Sequence, residues 1–200
     1  MPNSTSSPAK IDGRRLRSDR SRQVIVESML YLVGQGNLTP TAQQVANHAK
    51  VGIRSVFRHF EDMEAIFKTA DDIWRKGLDK NLQALDLDAQ LPLAQRIQQA
   101  AKLLGGAYED NSNILKSTAT RRWRSAFLQR NYASYQTRIR ADILRSLPEI
   151  EQLSDNKKEA IVGFLSFEYW DRLRDHQSLS ADASIALIGE LLQALLPDQS

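Results

Sequence analysis

Apolar residues along this chain of 200 residues recur at the three- and four-residue spacing of helices, and no stretch alternates as a strand would. The first helix is predicted to begin near Ser18 or Asp19 and to end at Gly34 and Gly36, because glycine commonly terminates helices. Its inner face carries Val24, Ile25, Met29, Leu32 and Val33. The pattern therefore predicts an all-α protein of about nine helices, of which the first three are compact.

The stretch Thr39–Phe60 predicts two short helices joined by a tight turn. Thr41 and Gln44 have the spacing of a capping box, and Gly52 can cap the second helix. In that second helix the apolar residues at i, i+3, i+4 and i+7 predict a single inward stripe. The stripe consists of Ile53, Val56, Phe57 and Phe60.

Six longer helical segments are predicted after this stretch, with proline, glycine or polar capping residues at their ends. The first two are expected from Met63 to the mid-80s and from Pro92 to a weak end at Gly105-Gly106. The next two run from 111 to a break near Asn131 and from that break to Pro148. The last two run from Ser154 or Asp155 to about His176 and from Ser180 to Pro197.

Charge is distributed unevenly along the chain. Residues 1–60 hold nine basic and three acidic residues, a net charge of +6, whereas the remainder holds 18 basic and 21 acidic residues, a net charge of −3. A basic end on a mildly acidic body indicates that the first segment meets a polyanion such as a nucleic acid. A solvated basic tail is the alternative.

Several classes of protein have no support in the composition. Cysteine is absent, which excludes disulfides and thiolate chemistry and fits a reducing compartment. No apolar run approaches the ~18 residues of a membrane span, and the N-terminus does not resemble a secretory signal, so we expect a cytoplasmic protein. The three histidines are scattered, and no phosphate loop or nucleophile elbow is present. We therefore expect no metal, no cofactor and no catalytic residues.

The segment Arg22–Phe67 resembles the DNA-binding domain of TetR-family transcriptional regulators. The resemblance rests on the apolar first helix, Thr41 before Val45-Ala46, Ala49 followed by Val51, the block Val56-Phe57-Arg58-His59-Phe60, and Glu64-Ala-Ile-Phe67. It covers roughly a quarter of the chain and is fairly specific, because several features keep register together.

Four positions depart from the family pattern. The family usually has glycine at Lys50, so a backbone geometry not specific to glycine is expected there. At the positions of Gly52, Phe57 and Met63 the family usually has serine, tyrosine and lysine, and the side chains of those three family residues often face phosphate. We expect altered affinity or operator spacing from these changes, and no loss of DNA binding.

The resemblance implies three regions and several partners. Residues 1–18 are expected to form a disordered basic arm, residues 19–62 a helix-turn-helix DNA-binding domain, and residues 63–200 a helical effector-binding and dimerisation domain. The protein would be a homodimeric regulator, more often a repressor, that binds a double-stranded DNA operator and is modulated by an unknown small-molecule effector. A regulator without a small ligand and a helical enzyme or protein-binding module are the alternatives.

Candidate DNA contacts follow from the same segment. Arg54 is the best candidate for reading a base, because its guanidinium can bind guanine O6 and N7 together. Thr41 could serve only as a cap, Phe57 could belong to the core, and His59 could pack against the first helix. The full set is Arg14, Arg15, Arg17, Thr41, Gln43, Lys50, Gly52, Ile53, Arg54, Ser55, Phe57, Arg58 and His59.

Aromatic residues of the longer helices are candidate walls of an effector pocket, and each could equally belong to the core. They are Trp74, Tyr108, Trp123, Phe127, Phe167, Tyr169 and Trp170. The basic run Arg121–Arg124 could bind an anionic effector or a partner, and the favoured interpretation is a solvated face whose aromatic side packs inward.

The last two predicted helices carry apolar stripes that need cover. Paired copies of such helices form a dimeric four-helix bundle in the TetR family, and the alternative is ordinary core within one chain. The stripes consist of Ile161, Phe164, Leu165, Trp170, Leu173, Ile185, Ile188, Leu192 and Leu195.

Overall fold

The computed structural model describes residues 13–81, 85 and 87–196, and this part of the chain contains nine α-helices and no strand. The helices are α1 Gly13–Gly34, α2 Ala42–His48, α3 Ile53–His59, α4 Met63–Asn81, α5 Leu93–Arg122, α6 Ala126–Ser146, α7 Asp155–Phe164, α8 Phe167–Asp171 and α9 Ala181–Leu195. A 3₁₀ turn, Pro148–Gln152, follows α6, and a π-helical turn, Arg172–His176, continues α8. None of the helices described is long and apolar enough to cross a membrane.

The chain divides into two compact units, Met1–Asp72 and Ile73–Ser200, so the division falls inside α4 and not at the expected 62/63 boundary. The first helix also begins earlier than predicted, at Gly13, which contradicts the expected disorder for residues 13–18. Arginine and leucine are good helix formers, and no proline interrupts Gly13–Gly34, so the helix extends through the basic run. The rest of the predicted arm, residues 1–12, lies outside the described residues.

The first unit has a core drawn from all of its helices. α1 contributes the predicted Ile25, Met29 and Val33, and α2 contributes Val45 and Ala46. The remaining buried apolar residues are Val26, Ala49, Val56, Phe60, Ile66, Phe67 and Ala70. The short helices α2 and α3 thus gain their stability from packing, since helices of this length are marginal alone.

The second unit is organised around Trp170, whose side chain is 1% exposed. Its core also contains the inward residues of α5, α6, α7 and α9. Of the apolar positions expected to pair in a dimer, Ile161, Leu165, Trp170, Leu173, Ile188 and Leu192 are buried within this core. The other three, Phe164, Ile185 and Leu195, are only partly buried, so the chain itself covers these stripes in part.

The helix α5 runs for 30 residues through Gly105-Gly106, where the sequence predicted a weak end. Gly105 faces the Trp170 ring so closely that an added Cβ would lie 2.7 Å from it. Gly105 is thus a site of close helix packing and not a terminator.

Two further helix boundaries differ from the prediction. The break expected near Asn131 lies at Trp123–Ser125, where the Ser125 hydroxyl accepts a hydrogen bond from the Leu128 amide and caps α6. The single helix expected from 155 to about 176 is interrupted at Leu165, and Ser166 caps α8 in the same way. A serine cap inside an apolar run starts a new helix because its hydroxyl replaces a missing carbonyl partner.

Arg96 is a buried cation that ties the start of α5 to the end of α6. Its side chain donates hydrogen bonds to the carbonyl oxygens of Leu91 and Ser146 and forms a two-pronged ion pair with Glu149. The pair lowers the pKa of the Glu149 carboxyl, chiefly through the hydrogen bonds from Arg96. The carboxylate thus joins the 3₁₀ turn to the start of α5.

Replacement of the carboxylate, Glu149→Gln, should destabilise the fold by about 3 kcal/mol, because Arg96 is left buried without a counter-charge. The pKa of Glu149 is lower in the folded state, so its stabilisation is present above the unfolded pKa and is lost as pH falls through the folded pKa. Urea unfolding at neutral and acidic pH measures both effects. The difference in free energy of unfolding between the variant and the wild type should become smaller below about pH 4. A difference that does not depend on pH would contradict this role of Glu149.

The substitution Gly105→Ala should destabilise the protein by about 1–2 kcal/mol, because the new methyl group overpacks against the Trp170 ring. The neighbouring Gly106→Ala is the matched control, since nothing lies within 4 Å of its Cβ position. That control should stabilise α5 by about 0.5–1 kcal/mol, the ordinary gain from replacing a helical glycine. Thermal unfolding followed by circular dichroism distinguishes them, and equal effects at both sites would contradict the close packing.

Candidate nucleic-acid interface

Arg22 holds the end of α3 against α1 and α4. Its guanidinium donates to the carbonyl oxygen of His59 at 2.8 Å and to the Thr69 hydroxyl at 3.3 Å, and it lies 4.1 Å from the centre of the Phe60 ring. No role was predicted for this arginine. The sequence contained one indication that Arg22 contacts the rest of the unit, because it lies three residues before Ile25 and so close to the inner stripe of α1.

The predicted capping box begins α2. The Thr41 hydroxyl accepts a hydrogen bond from the Gln44 amide at 3.3 Å, and the Gln44 side chain accepts one from the Thr41 amide at 2.8 Å. The exposed Gln43 side chain donates to Asn47 at 2.8 Å along the helix surface. The prediction of Thr41 as a cap is confirmed, and both Thr41 and Gln43 are exposed.

The end of α1 has the hydrogen bonds of a Schellman motif. The amide of Gly36 donates to the Val33 carbonyl at 2.9 Å, and the amide of Asn37 donates to the Leu32 carbonyl at 3.1 Å. Gly36 has a φ of 89°, a left-handed conformation that glycine adopts without a steric penalty.

The end of α2 repeats this motif with lysine in place of glycine. The amide of Lys50 donates to the Asn47 carbonyl at 3.2 Å, the amide of Val51 donates to the Ala46 carbonyl at 3.0 Å, and Lys50 has a φ of 54°. The expectation of a backbone geometry not specific to glycine is therefore wrong. The turn keeps the left-handed conformation, and Lys50 carries its steric cost.

The inward stripe predicted for α3 is only half buried. Val56 and Phe60 are 0% and 3% exposed, whereas Ile53 is 37% and Phe57 is 49% exposed. Phe57 therefore does not belong to the core, contrary to the alternative considered for it. Seven residues capped by the Gly52 backbone can turn only one narrow face inward, and Val56 and Phe60 occupy it.

The outward face of α3 combines arginine and apolar side chains. Arg54 and Arg58 are both exposed, and they share this face with Ile53 and Phe57. Arg58 donates a hydrogen bond to the Ser55 hydroxyl at 2.9 Å, which fixes the direction of its guanidinium. A surface with two cations beside two apolar groups can bind a partner that is both anionic and partly apolar.

His59 differs from its neighbours because its ring is half buried, with Nε2 buried and lacking a hydrogen-bond partner. Burial lowers the pKa of His59, and the charges of Arg58 and Arg22 lower it further. A neutral imidazole adds no charge at neutral pH, so these features favour the packing interpretation over a phosphate contact.

The second unit contains a cavity of about 30 Å³. Of the seven aromatic residues expected at a pocket, Trp74 and Phe167 line it. Tyr108 and Trp170 are buried in the core, Phe127 and Tyr169 are half buried away from the cavity, and Trp123 is 66% exposed on the surface. Trp123 lies in the turn between α5 and α6, so it does not pack inward as the sequence suggested.

The cavity also has lining residues that were not predicted from the sequence. They are Arg75, Leu115, Thr118, Ala119, Arg122, Tyr132, Tyr135 and Glu168. Tyr132 and Tyr135 are three residues apart and so share one face of α6, which was a usable indication. No group of three or more His, Asp or Glu side chains among the described residues could hold a metal ion.

No model of a known protein family and no curated protein sequence matches the chain. Solved structures do match it. A transcriptional regulator from Rhodococcus sp. Rha1 has a TM-score of 0.63 at 16% identity, over 90% of this chain and 95% of that one. The multidrug binding protein EbrR, solved with imidazole, has a TM-score of 0.63 at 18% identity, over 90% and 96%. A TetR-like transcriptional regulator from Rhodococcus sp. RHA1 has a TM-score of 0.59 at 17% identity, over 89% and 97%.

The chain therefore has the fold of TetR-type transcriptional regulators, in which a helix-turn-helix unit precedes a larger helical unit. The predicted fold class is confirmed. The similarity seen in Arg22–Phe67 extends, at the level of the fold, to about 90% of the chain.

The substitution Lys50→Gly should stabilise the protein by about 0.5–1 kcal/mol, because glycine adopts the left-handed conformation without the penalty that lysine has. Gly36→Ala is the matched control, since it places a side chain in the same conformation at the end of α1 and should destabilise the protein by about 1 kcal/mol. Urea unfolding measures both. A destabilised Lys50→Gly protein would show that the lysine side chain stabilises this turn in some other way.

Proposed function

We propose that this chain is a sequence-specific DNA-binding regulator of the TetR family and that α3 enters the major groove. The outward face of α3 is the observation that carries the proposal. It presents Arg54 and Arg58 together with exposed Ile53 and Phe57 on a helix that packing and Arg22 hold in place. A solvated surface gains nothing from two neighbouring exposed apolar side chains, whereas a DNA groove offers both phosphates and apolar groups.

The four side chains have separate roles in this proposal. Arg54 binds a guanine edge through two hydrogen bonds, and Ile53 and Phe57 contact thymine methyl groups or sugar carbons. Arg58, directed by Ser55, contacts a phosphate. Lys50 adds a cation from the turn before α3.

The basic residues at the start of α1 add affinity that does not depend on sequence. Arg14, Arg15 and Arg17 lie on α1, and each phosphate that they neutralise adds nearly one unit to the salt dependence of binding. The hydroxyl of Thr41 serves the capping box in the free protein, so its contribution to DNA binding is indirect. Gln43 is the polar contact from α2.

The regulator acts as a homodimer in this proposal, and it represses transcription until an effector binds. Two copies of α3 placed about 34–36 Å apart meet successive major grooves. The effector enters the cavity lined by Trp74 of α4 and shifts that helix, which changes the separation of the recognition helices. Such a switch requires the effector to bind the two forms with different affinity. A small-molecule role is supported by the structural similarity to EbrR, a multidrug binding protein.

The substitution Arg54→Ala should weaken binding to an operator selected from randomised duplexes by about 1–3 kcal/mol, roughly 5- to 150-fold. It should also relax the base preference at one position, because that guanidinium reads a base edge. Fluorescence anisotropy over a series of salt concentrations measures affinity and specificity together.

Arg130→Ala is the control for this experiment, since it removes an exposed arginine from α6 in the second unit. It should leave operator binding unchanged. Absence of salt-sensitive binding to any duplex, or identical operator binding by wild type and Arg54→Ala, would contradict the proposed function.

A further inference from the structure

The cavity that Trp74 lines in the second unit is a slot with aromatic walls. Trp74 from α4, Tyr132 and Tyr135 from α6 and Phe167 from α8 form its walls. The indole N–H of Trp74 donates to Asn111 at 2.8 Å, so this ring has a fixed orientation. Walls of this kind bind a planar ring through stacking and edge contacts.

The charged residues of the slot are two arginines and one glutamate, Arg75, Arg122 and Glu168. The Glu168 carboxylate already accepts a hydrogen bond from the Tyr132 hydroxyl at 2.5 Å and lies 3.9 Å from Arg122. Burial raises the pKa of Tyr132, as does its hydrogen bond to Glu168, so this phenol stays neutral at neutral pH. The formal charge around the slot is therefore +1, which favours an anionic ligand.

Arg122 has capacity to bind that anion. Its distance of 3.9 Å from Glu168 is too long for a hydrogen bond, and no side-chain hydrogen bond of Arg122 is present among the described residues. The guanidinium instead lies 3.6 Å from the centre of the Tyr132 ring. Its N–H groups therefore remain available for a carboxylate, which a guanidinium binds in a two-pronged geometry.

The slot is nearly closed by this arrangement. A volume of about 30 Å³ holds about two water molecules and no aromatic ring. Arg122 occupies the stacking position over Tyr132, and it belongs to the last turn of α5 with its side chain 29% exposed. A partly exposed guanidinium at this position can move toward solvent and leave the Tyr132 face to a ligand ring.

We propose that this slot binds a planar aromatic monocarboxylate, whose ring replaces the guanidinium on Tyr132 and whose carboxylate pairs with Arg122. The inference rests on the proposed function, because it names the chemical class of the effector. A cationic ligand is disfavoured, since it would meet two arginines and would have to compete for a glutamate that already has two partners. Glu168 itself opposes the carboxylate, so its neutralisation should favour binding.

Isothermal titration and thermal unfolding with 2-naphthoate test the proposal, with 2-naphthamide as the neutral analogue and 2-naphthylmethylammonium as the cationic one. Naphthoate should bind at least about tenfold more tightly than either analogue and should raise the melting temperature as its concentration increases. Arg122→Gln should remove that preference. Glu168→Gln should strengthen naphthoate binding several-fold, which keeps the test informative if Arg122→Gln folds poorly.

Arg124→Gln is the matched control, because Arg124 also stacks on an aromatic ring, that of Trp123, but lies outside the slot. It should bind naphthoate as the wild type does. Tighter binding of the ammonium compound, equal binding of naphthoate by wild type and Arg122→Gln, or no binding of any of the three would overturn the proposal. Operator binding without ligand is measured separately, so a failure here is distinguishable from a failure of the DNA-binding function.

Discussion

The length of α3 constrains the whole DNA-binding unit. A helix of seven residues does not persist alone in water, so its position must come from contacts with the rest of the unit. Burial of Val56 and Phe60 supplies about 1.5–3 kcal/mol each, and Arg22 binds the carbonyl oxygen of His59 at the C-terminal end of the helix. These anchors use one face and one end of the helix, which leaves the opposite face to a partner.

The same constraint explains why Phe57 is exposed. Phe57 and Phe60 lie about 60° apart around the helix axis, and the narrow contact surface of a short helix covers only Phe60. About half of the Phe57 side chain is exposed in the free protein. It lacks the hydroxyl of the tyrosine usual in the TetR family, so in the proposed DNA complex its contact would be apolar, while charge and polarity would come from Arg54 and Arg58.

Local interactions were predictable from the sequence, and long-range ones were not. The caps at Thr41 and Gly52 join residues within four positions of each other, and both lie where the pattern predicted them. The uninterrupted course of α5 through Gly105 depends on Trp170, 65 residues away, and no local pattern contains that contact. Much of the cavity was missed for the same reason, since its lining combines four helices and includes arginines that a helical pattern assigns to solvent.

Arginine shows most clearly why charge counting cannot locate a site. Arg22 and Arg54 are both exposed and contribute equally to the net charge of +6 in residues 1–60, but the guanidinium of Arg22 is bound to a backbone carbonyl and a hydroxyl of the protein. Counterion release depends on the phosphates that a protein actually neutralises. An arginine whose guanidinium already binds oxygens of the protein itself has fewer N–H groups for a phosphate. The salt dependence of binding should therefore fall short of what the nine basic residues imply, and it should follow the exposed face of α3 and the start of α1.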